Sequence, residues 1–107
     1  MADEVLLIMS TFPDAQTAQR VARQIVEERL AACANILPPI NSIYRWQGKV
    51  EESAESLVLI KTTVDRFAAI QTRLCGLHPY EVPEIIALPI DRGLPDYLRW
   101  VAEQCAA

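Results

Sequence analysis

Two hydrophobic periods alternate along this chain, and each switch between them marks the end of an element. Val5-Leu6-Leu7-Ile8-Met9 is a short unbroken apolar run, which predicts a strand buried on both faces. Ser10-Thr11-Phe12-Pro13-Asp14 reads as a helix start, with Pro13 suited to a first turn and Asp14 placed to cap it or to oppose the positive end of its dipole. Ala18, Val21, Ala22, Ile25, Val26 and Leu30 then recur at steps of three and four. That predicts a first helix to about Glu28, with Arg20, Arg23 and Glu27 outward.

The segment from Ala31 to Leu37 is compact and apolar, and Ile40 to Trp46 resumes it after Pro38-Pro39. A proline pair cannot donate to an uninterrupted ladder, so this reads as one strand bent at the prolines. Gln47-Gly48-Lys49 is the turn of a hairpin, and Val50 to Thr62 is its long return strand. The early part of that strand, Glu51 to Ser56, is polar and is expected to project from the body; Leu57 to Thr62 is apolar on both faces. Thr62 or Thr63 caps a second helix, with Asp65 in its first turn, Phe67, Ile70, Leu74 and Leu77 as its stripe, and Gly76 and Pro79 at its end. Ile85-Ile86-Ala87-Leu88 is a further strand, Pro89 to Gly93 a turn. Leu94, Tyr97, Leu98, Val101, Ala102 and Cys105 define a last helix with Pro95 in its first turn. Trp100 falls off that stripe and is expected to pack against the hairpin or another subunit.

The order strand, helix, strand, strand, helix, strand, helix is the α+β ferredoxin-like split βαβ pattern with an extra C-terminal helix. At 107 residues the chain has the length of a single domain spanning 1–107. In a lone ferredoxin-like domain one sheet face meets water, yet these core strands lack a polar face. A homo-oligomer that buries the second face resolves the mismatch.

Half the residues are apolar, 22% are charged and the net charge is −4. The excess of acid, with Lys49 and Lys61 as the only lysines, argues against nucleic acid as a partner. No apolar run approaches the roughly 20 residues of a membrane span, and Met1-Ala2-Asp3-Glu4 opens with acids where a signal peptide carries bases. A cytoplasmic protein is expected. Cys33, Cys75 and Cys105 form no CxxC pair and sit in apolar contexts, which predicts buried reduced thiols.

Candidate chemistry concentrates at His78-Pro79-Tyr80-Glu81-Val82-Pro83-Glu84. Prolines push the residues before them out of the α region, so an extended run is expected that turns His78, Tyr80, Val82 and Glu84 to one side and Glu81 to the other. A plain connector whose prolines stop the preceding helix is the alternative. Lys61 shares a strand face with Leu57 and Leu59, so its ammonium must find water, a carboxylate or a small anionic ligand. Lys61, Tyr80 and Glu84 are the candidate ligand-binding set, with an ion pair at a subunit boundary as the competing reading.

Five blocks in register carry a resemblance: Leu30 to Ile36, Ser42 to Gly48, Glu55 to Thr62, His78 to Ile85, and Tyr97 to Trp100. Together they resemble the CutA family of divalent-cation tolerance proteins. The resemblance implies a cytoplasmic homotrimer of ferredoxin-like subunits similar in architecture to the PII signalling proteins, a part in metal tolerance, and copper or another divalent cation as a ligand of some members. Copper ligands proposed in some bacterial members fall at Ser10, Leu77 and His78 here. Hydroxyl and leucine remove the soft ligands, so weak copper binding through His78 is expected. A small-molecule-binding PII-like signalling module and a scaffold without metal function are alternatives. A small hydrolase is a third. Against an enzyme stand the lack of a Ser/His/Asp set, of a Gly-rich phosphate loop and of a histidine pair.

Overall fold

The opening apolar run becomes β1 (Val5–Phe12) in the computed structural model, which describes residues 4–106. Ser10, Thr11 and Phe12, expected in the helix start, continue the strand because β4 (Lys49–Thr63) offers each a partner: Val58, Leu57 and Ser56. Asp14 caps α1 (Ala15–Glu27), its Oδ1 accepting the Thr17 N–H at 2.7 Å. That bond holds the carboxyl below its usual range. Pro13 thus precedes the cap instead of standing in the first turn, since a short acceptor side chain serves the unpaired N–H groups there and proline cannot. Ala18, Val21, Ala22 and Ile25 form the buried stripe as expected.

The bent strand is divided at the prolines into β2 (Cys33–Ile36) and β3 (Ile40–Trp46). β4 is long enough to pair with both: Cys33 lies opposite Lys61, and Ile40 opposite Glu55. The distal hairpin runs out from the body and makes the molecule 47 Å long but only 25 × 23 Å across. At its tip Gln47 (φ 51°) and Gly48 (φ 78°) both adopt the left-handed conformation, the type I′ geometry that matches the twist of the paired strands. Glutamine is a poor occupant there. Gln47→Asn should raise stability by about 0.5 kcal/mol, because asparagine tolerates positive φ without glycine's entropy cost; an unchanged or lower denaturant midpoint would contradict that turn geometry.

A 3₁₀ turn at Val64–Arg66 leads into α2 (Phe67–Leu77). Thr63 occupies the cap position, but its hydroxyl donates to Asp65 Oδ1 at 2.6 Å and makes no side-chain bond to the helix backbone. β5 (Ile86–Pro89) and α3 (Pro95–Gln104) complete the chain. The sheet order is β2-β4-β1-β5 with every neighbouring pair antiparallel, and β3 extends from β4 beyond it. This is the ferredoxin-like arrangement the element order predicts.

One sheet face is closed by α1 and α2, where Ile8, Phe12, Val58 and Ile60 pack on Val21, Ile25, Ile70 and Leu74. α3 seals one end through Val101 and Cys105 against Val5 and Ala32. Arg29 donates to the Glu103 and Ala106 carbonyls and Arg66 to that of Cys105, satisfying acceptors that the helix end leaves open. Leu94 and Tyr97, expected on the buried stripe, are instead 70% and 42% exposed, because only the second half of this short helix meets the sheet. Trp100 lies against Tyr97 of its own helix, the rings tilted by 34° with centroids 5.6 Å apart. The cysteine expectation holds for Cys105 alone. Cys33 is half-buried, and Cys75 is exposed on the outer side of α2, whose buried residues are Ile70 and Leu74 only.

Register fixes what lies on the opposite sheet face. Leu88, Leu7, Lys61 and Cys33 form one row across β5, β1, β4 and β2, and Ile86, Met9, Leu59 and Asn35 form the next. Ile86 and Leu88 remain about half exposed.

Candidate functional site

The segment 78–85 is irregular and bent, not the extended run expected. Pairing between β1 and β5 starts only at Met9 and Ile86, so no neighbouring strand enforces side-chain alternation, and two prolines withhold donors. His78 is buried and Tyr80 half-buried, whereas Val82 and Glu84 face solvent. The expected shared side therefore does not form.

His78 closes α2, its backbone N–H reaching the Leu74 carbonyl at 2.8 Å while Pro79 holds it extended at ψ 136°. Its ring lies nearly parallel to that of Phe12, with centroids 4.3 Å apart. Both nitrogens are engaged. Nδ1 faces the Tyr80 backbone N–H at 3.2 Å and must accept, so Nε2 carries the proton and donates to the Thr11 carbonyl at 2.8 Å. Burial pushes the imidazole below its ordinary range, against the opposing pull of the Thr11 carbonyl and of Glu55. The Tyr80 hydroxyl donates to Glu55 Oε2 at 2.7 Å, and burial together with that carboxylate makes the phenol harder to ionise.

Lys61 lies on the open sheet face, where its ammonium donates to Asn35 Oδ1. Across the strand pair from it stands Cys33, whose thiol contacts the Tyr97 hydroxyl at 3.5 Å. Glu84 is exposed and has no side-chain partner among the described residues. One chain thus keeps Lys61, Tyr80 and Glu84 apart: Lys61 pairs with Asn35, Tyr80 with Glu55. Sequence reading missed both partners. Asn35 was accessible to it, because antiparallel register between β2 and β4 sets it diagonal to Lys61; Glu55 was not, because no local pattern brings loop 78–85 back onto the hairpin stem.

The residues that stand at the family's copper-ligand positions do not fit a metal here. Ser10 is fully buried on the helix-covered face with its hydroxyl unpartnered, Leu77 is half-buried, and His78 has no free nitrogen. No cluster of three His, Cys, Asp or Glu occurs among the described residues. His78, expected to offer copper a nitrogen, spends both on the backbone. Calorimetric titration of Cu²⁺ into the native protein and into His78→Gln should therefore give matching isotherms, and binding lost only in the variant would show that the ring leaves Thr11 to reach the metal.

A groove of ≈ 810 Å³ runs between α1 and the free edge of β2, lined by Gln16, Arg20, Arg23, Val26, Cys33 and Ile36 among others. Its outer wall is open, because β2 is the last strand of the sheet on that side.

Against known proteins, the family model of the CutA1 divalent ion tolerance protein matches residues 6–104. The divalent-cation tolerance protein CutA of Thermus thermophilus is 52% identical over 101 residues, covering 94% of this chain and 96% of the relative. Protein CutA of mouse is 50% identical over 91 residues, 85% of this chain but 51% of the relative, so the chain spans about half that protein's length. A solved structure described as the periplasmic divalent cation tolerance protein CutA of Archaeoglobus fulgidus superposes with a TM-score of 0.92 at 37% identity, covering 95% of this chain and 99% of that one. No helix among the described residues is long and apolar enough to cross a membrane. With the family model matched over residues 6–104, and a relative 52% identical over 101 residues, the chain belongs to the CutA1 divalent ion tolerance protein family.

Proposed function

We propose that this chain serves divalent-cation tolerance as a homotrimer, and that its role is binding, not catalysis. The observation that carries this reading is the uncovered sheet face, with Leu7, Met9, Leu57, Leu59, Ile86 and Leu88 turned the same way by register. An apolar surface of that extent is unfavourable in water and becomes favourable when a second copy covers it. Both outer strands, β2 and β5, keep one edge unpaired in the single chain. Edges that complement each other between copies form a heterologous contact, which closes into a ring where the rotation between copies allows it. The family resemblance supplies three as the number. Ile43, Trp46 and Val50 are exposed at the hairpin end and are assigned to contacts with neighbouring copies.

Lys61 belongs to the same face. In the assembled protein its ammonium is the cation at a subunit boundary, where Glu84 of another copy or a small anionic ligand satisfies it. That supports a second reading, a small-molecule-binding PII-like module, and a thermal-shift screen against small anions and nucleotides separates the two. Relatives named for divalent-cation tolerance support the metal connection, with no part for His78. The cytoplasm is the proposed compartment, supported by three free thiols; fractionation checks it, since the Archaeoglobus relative is described as periplasmic.

Light scattering should give three times 12.0 kDa, about 36 kDa, at micromolar concentration. A strain lacking the gene should grow poorly in elevated copper or zinc and recover when the chain is restored. Unchanged growth would remove the metal role, and a folded 12.0 kDa particle would remove the assembly.

A further inference from the structure

The distal hairpin leaves the body at Glu55. Along one edge β4 is paired with β1 as far as Phe12, which lies opposite Ser56. Along the other it is paired with β2 from Ile36, opposite Val58, and the last bond on that side runs from the Leu37 N–H to the Leu57 carbonyl. From Glu55 outward its sole partner is β3, which Pro38-Pro39 separate from β2. One continuous strand therefore carries the hairpin across the junction. A two-stranded ribbon takes a wider range of twist than strands inside a sheet and is marginal by itself, so pairing alone sets its direction loosely.

Tyr80 acts at this junction. Its hydroxyl donates to Glu55 Oε2 at 2.7 Å in a half-buried setting, and a carboxylate acceptor makes that bond one of the stronger kind. Among the described residues no other side-chain hydrogen bond joins residues 40–55 to the body: Asn41 with Glu52 and Tyr44 with Ser53 stay within the hairpin. Tyr80 itself is firmly based. Its backbone N–H is held by His78 Nδ1 at 3.2 Å, its ring lies 5.0 Å from the imidazole, and Pro79 stiffens the link between them.

We propose that Tyr80 is a positioning residue for assembly: through Glu55 it sets the angle at which the hairpin leaves the body, and so the direction in which Ile43, Trp46 and Val50 are offered to a neighbouring copy. The angle belongs to the single chain; its consequence for assembly rests on the homotrimeric reading. At about 3.3 Å per residue, Gln47 lies about 26 Å from Glu55 along the strand, so a change of lean of about 10° moves the tip by about 4.5 Å. That is the full reach of an apolar contact.

Tyr80→Phe removes the hydroxyl and keeps the ring. Sedimentation of the full-length protein over a dilution series should place its dissociation midpoint at a concentration about tenfold higher or more, in line with one lost hydrogen bond to a charged group. Glu55→Ala should do the same, the double variant should be no worse than either single one, and Glu55→Gln, which keeps an acceptor, should stay near the native value. Residual dipolar couplings of single copies, obtained with Leu59→Glu, read the angle itself. With Tyr80 present the amides of residues 40–55 should share the alignment of the core, and with Tyr80→Phe they should depart from it while the core's couplings hold. A native chain that sediments as a 12.0 kDa particle removes the trimer, and couplings measured on that chain then decide the positioning role; should Leu59→Glu stay assembled, the dilution series decides it. Hairpin couplings unchanged in Tyr80→Phe, an unmoved midpoint in an assembled protein, additive losses in the double variant, or a Glu55→Gln protein that behaves like Glu55→Ala overturns it.

Discussion

Leu59→Glu is expected to convert the proposed trimer into folded single chains, the largest change that one substitution should produce here. Leu59 lies in the middle of the open face, with Met9 opposite on β1 and Asn35 opposite on β2. In the isolated subunit the position borders solvent, so a carboxylate there can stay hydrated and the fold, whose core lies on the other side of the sheet, is kept. In an assembly that covers this face the carboxylate loses its water in each copy, at a cost of several kcal/mol per ion that a pairing with Lys61, two positions along the strand with its ammonium on Asn35, offsets only in part. Light scattering should move from about 36 kDa to 12.0 kDa with unchanged far-UV circular dichroism. Retention of the larger mass would show that the face is not the interface.

Phe12→Ala should give the largest loss of subunit stability. Phe12 is 1% exposed and belongs to the main core, and its ring is also the surface on which His78 lies. Truncating a buried phenylalanine costs about 3–5 kcal/mol, through lost transfer energy and the cavity left behind. A second effect separates this from generic loosening. With its stacking partner gone and water admitted, His78 should titrate closer to the ordinary imidazole value. Denaturant unfolding at fixed protein concentration measures the first effect and the His78 titration measures the second. A loss below about 1 kcal/mol would mean that the site collapses onto the gap.

The elements were legible in the sequence because their cause is local. Runs such as Val5 to Met9 and steps such as Val21, Ala22 and Ile25 show their period within a few residues, and Gly48 marks its own turn. Boundaries were less legible. Ser10 to Phe12 became strand because β4 was long enough to pair with them, and nothing near those residues states that. For the same reason α3 lost Leu94 and Tyr97 from its stripe: helical spacing was correct, but the sheet ends before it can cover them.

The site was legible as a segment and not as a mechanism. The sequence singled out His78 and Tyr80 as candidates, and composition left one histidine to consider. It could not assign their partners. Thr11 lies 67 positions from His78 and Glu55 lies 25 from Tyr80, separations over which periodicity carries no information. Sequence by itself therefore determined the order of strands and helices, the apolar character of both sheet faces and the resemblance to one family, since these follow from residue type and near-neighbour spacing. Tertiary structure alone decided that His78 is an inward-facing tie and no outward-facing ligand, and that Lys61, Tyr80 and Glu84 stay apart in one chain. Hydrogen-bond partners and burial are properties of segments brought together by packing, and a ring nitrogen's availability depends on which atoms arrive beside it.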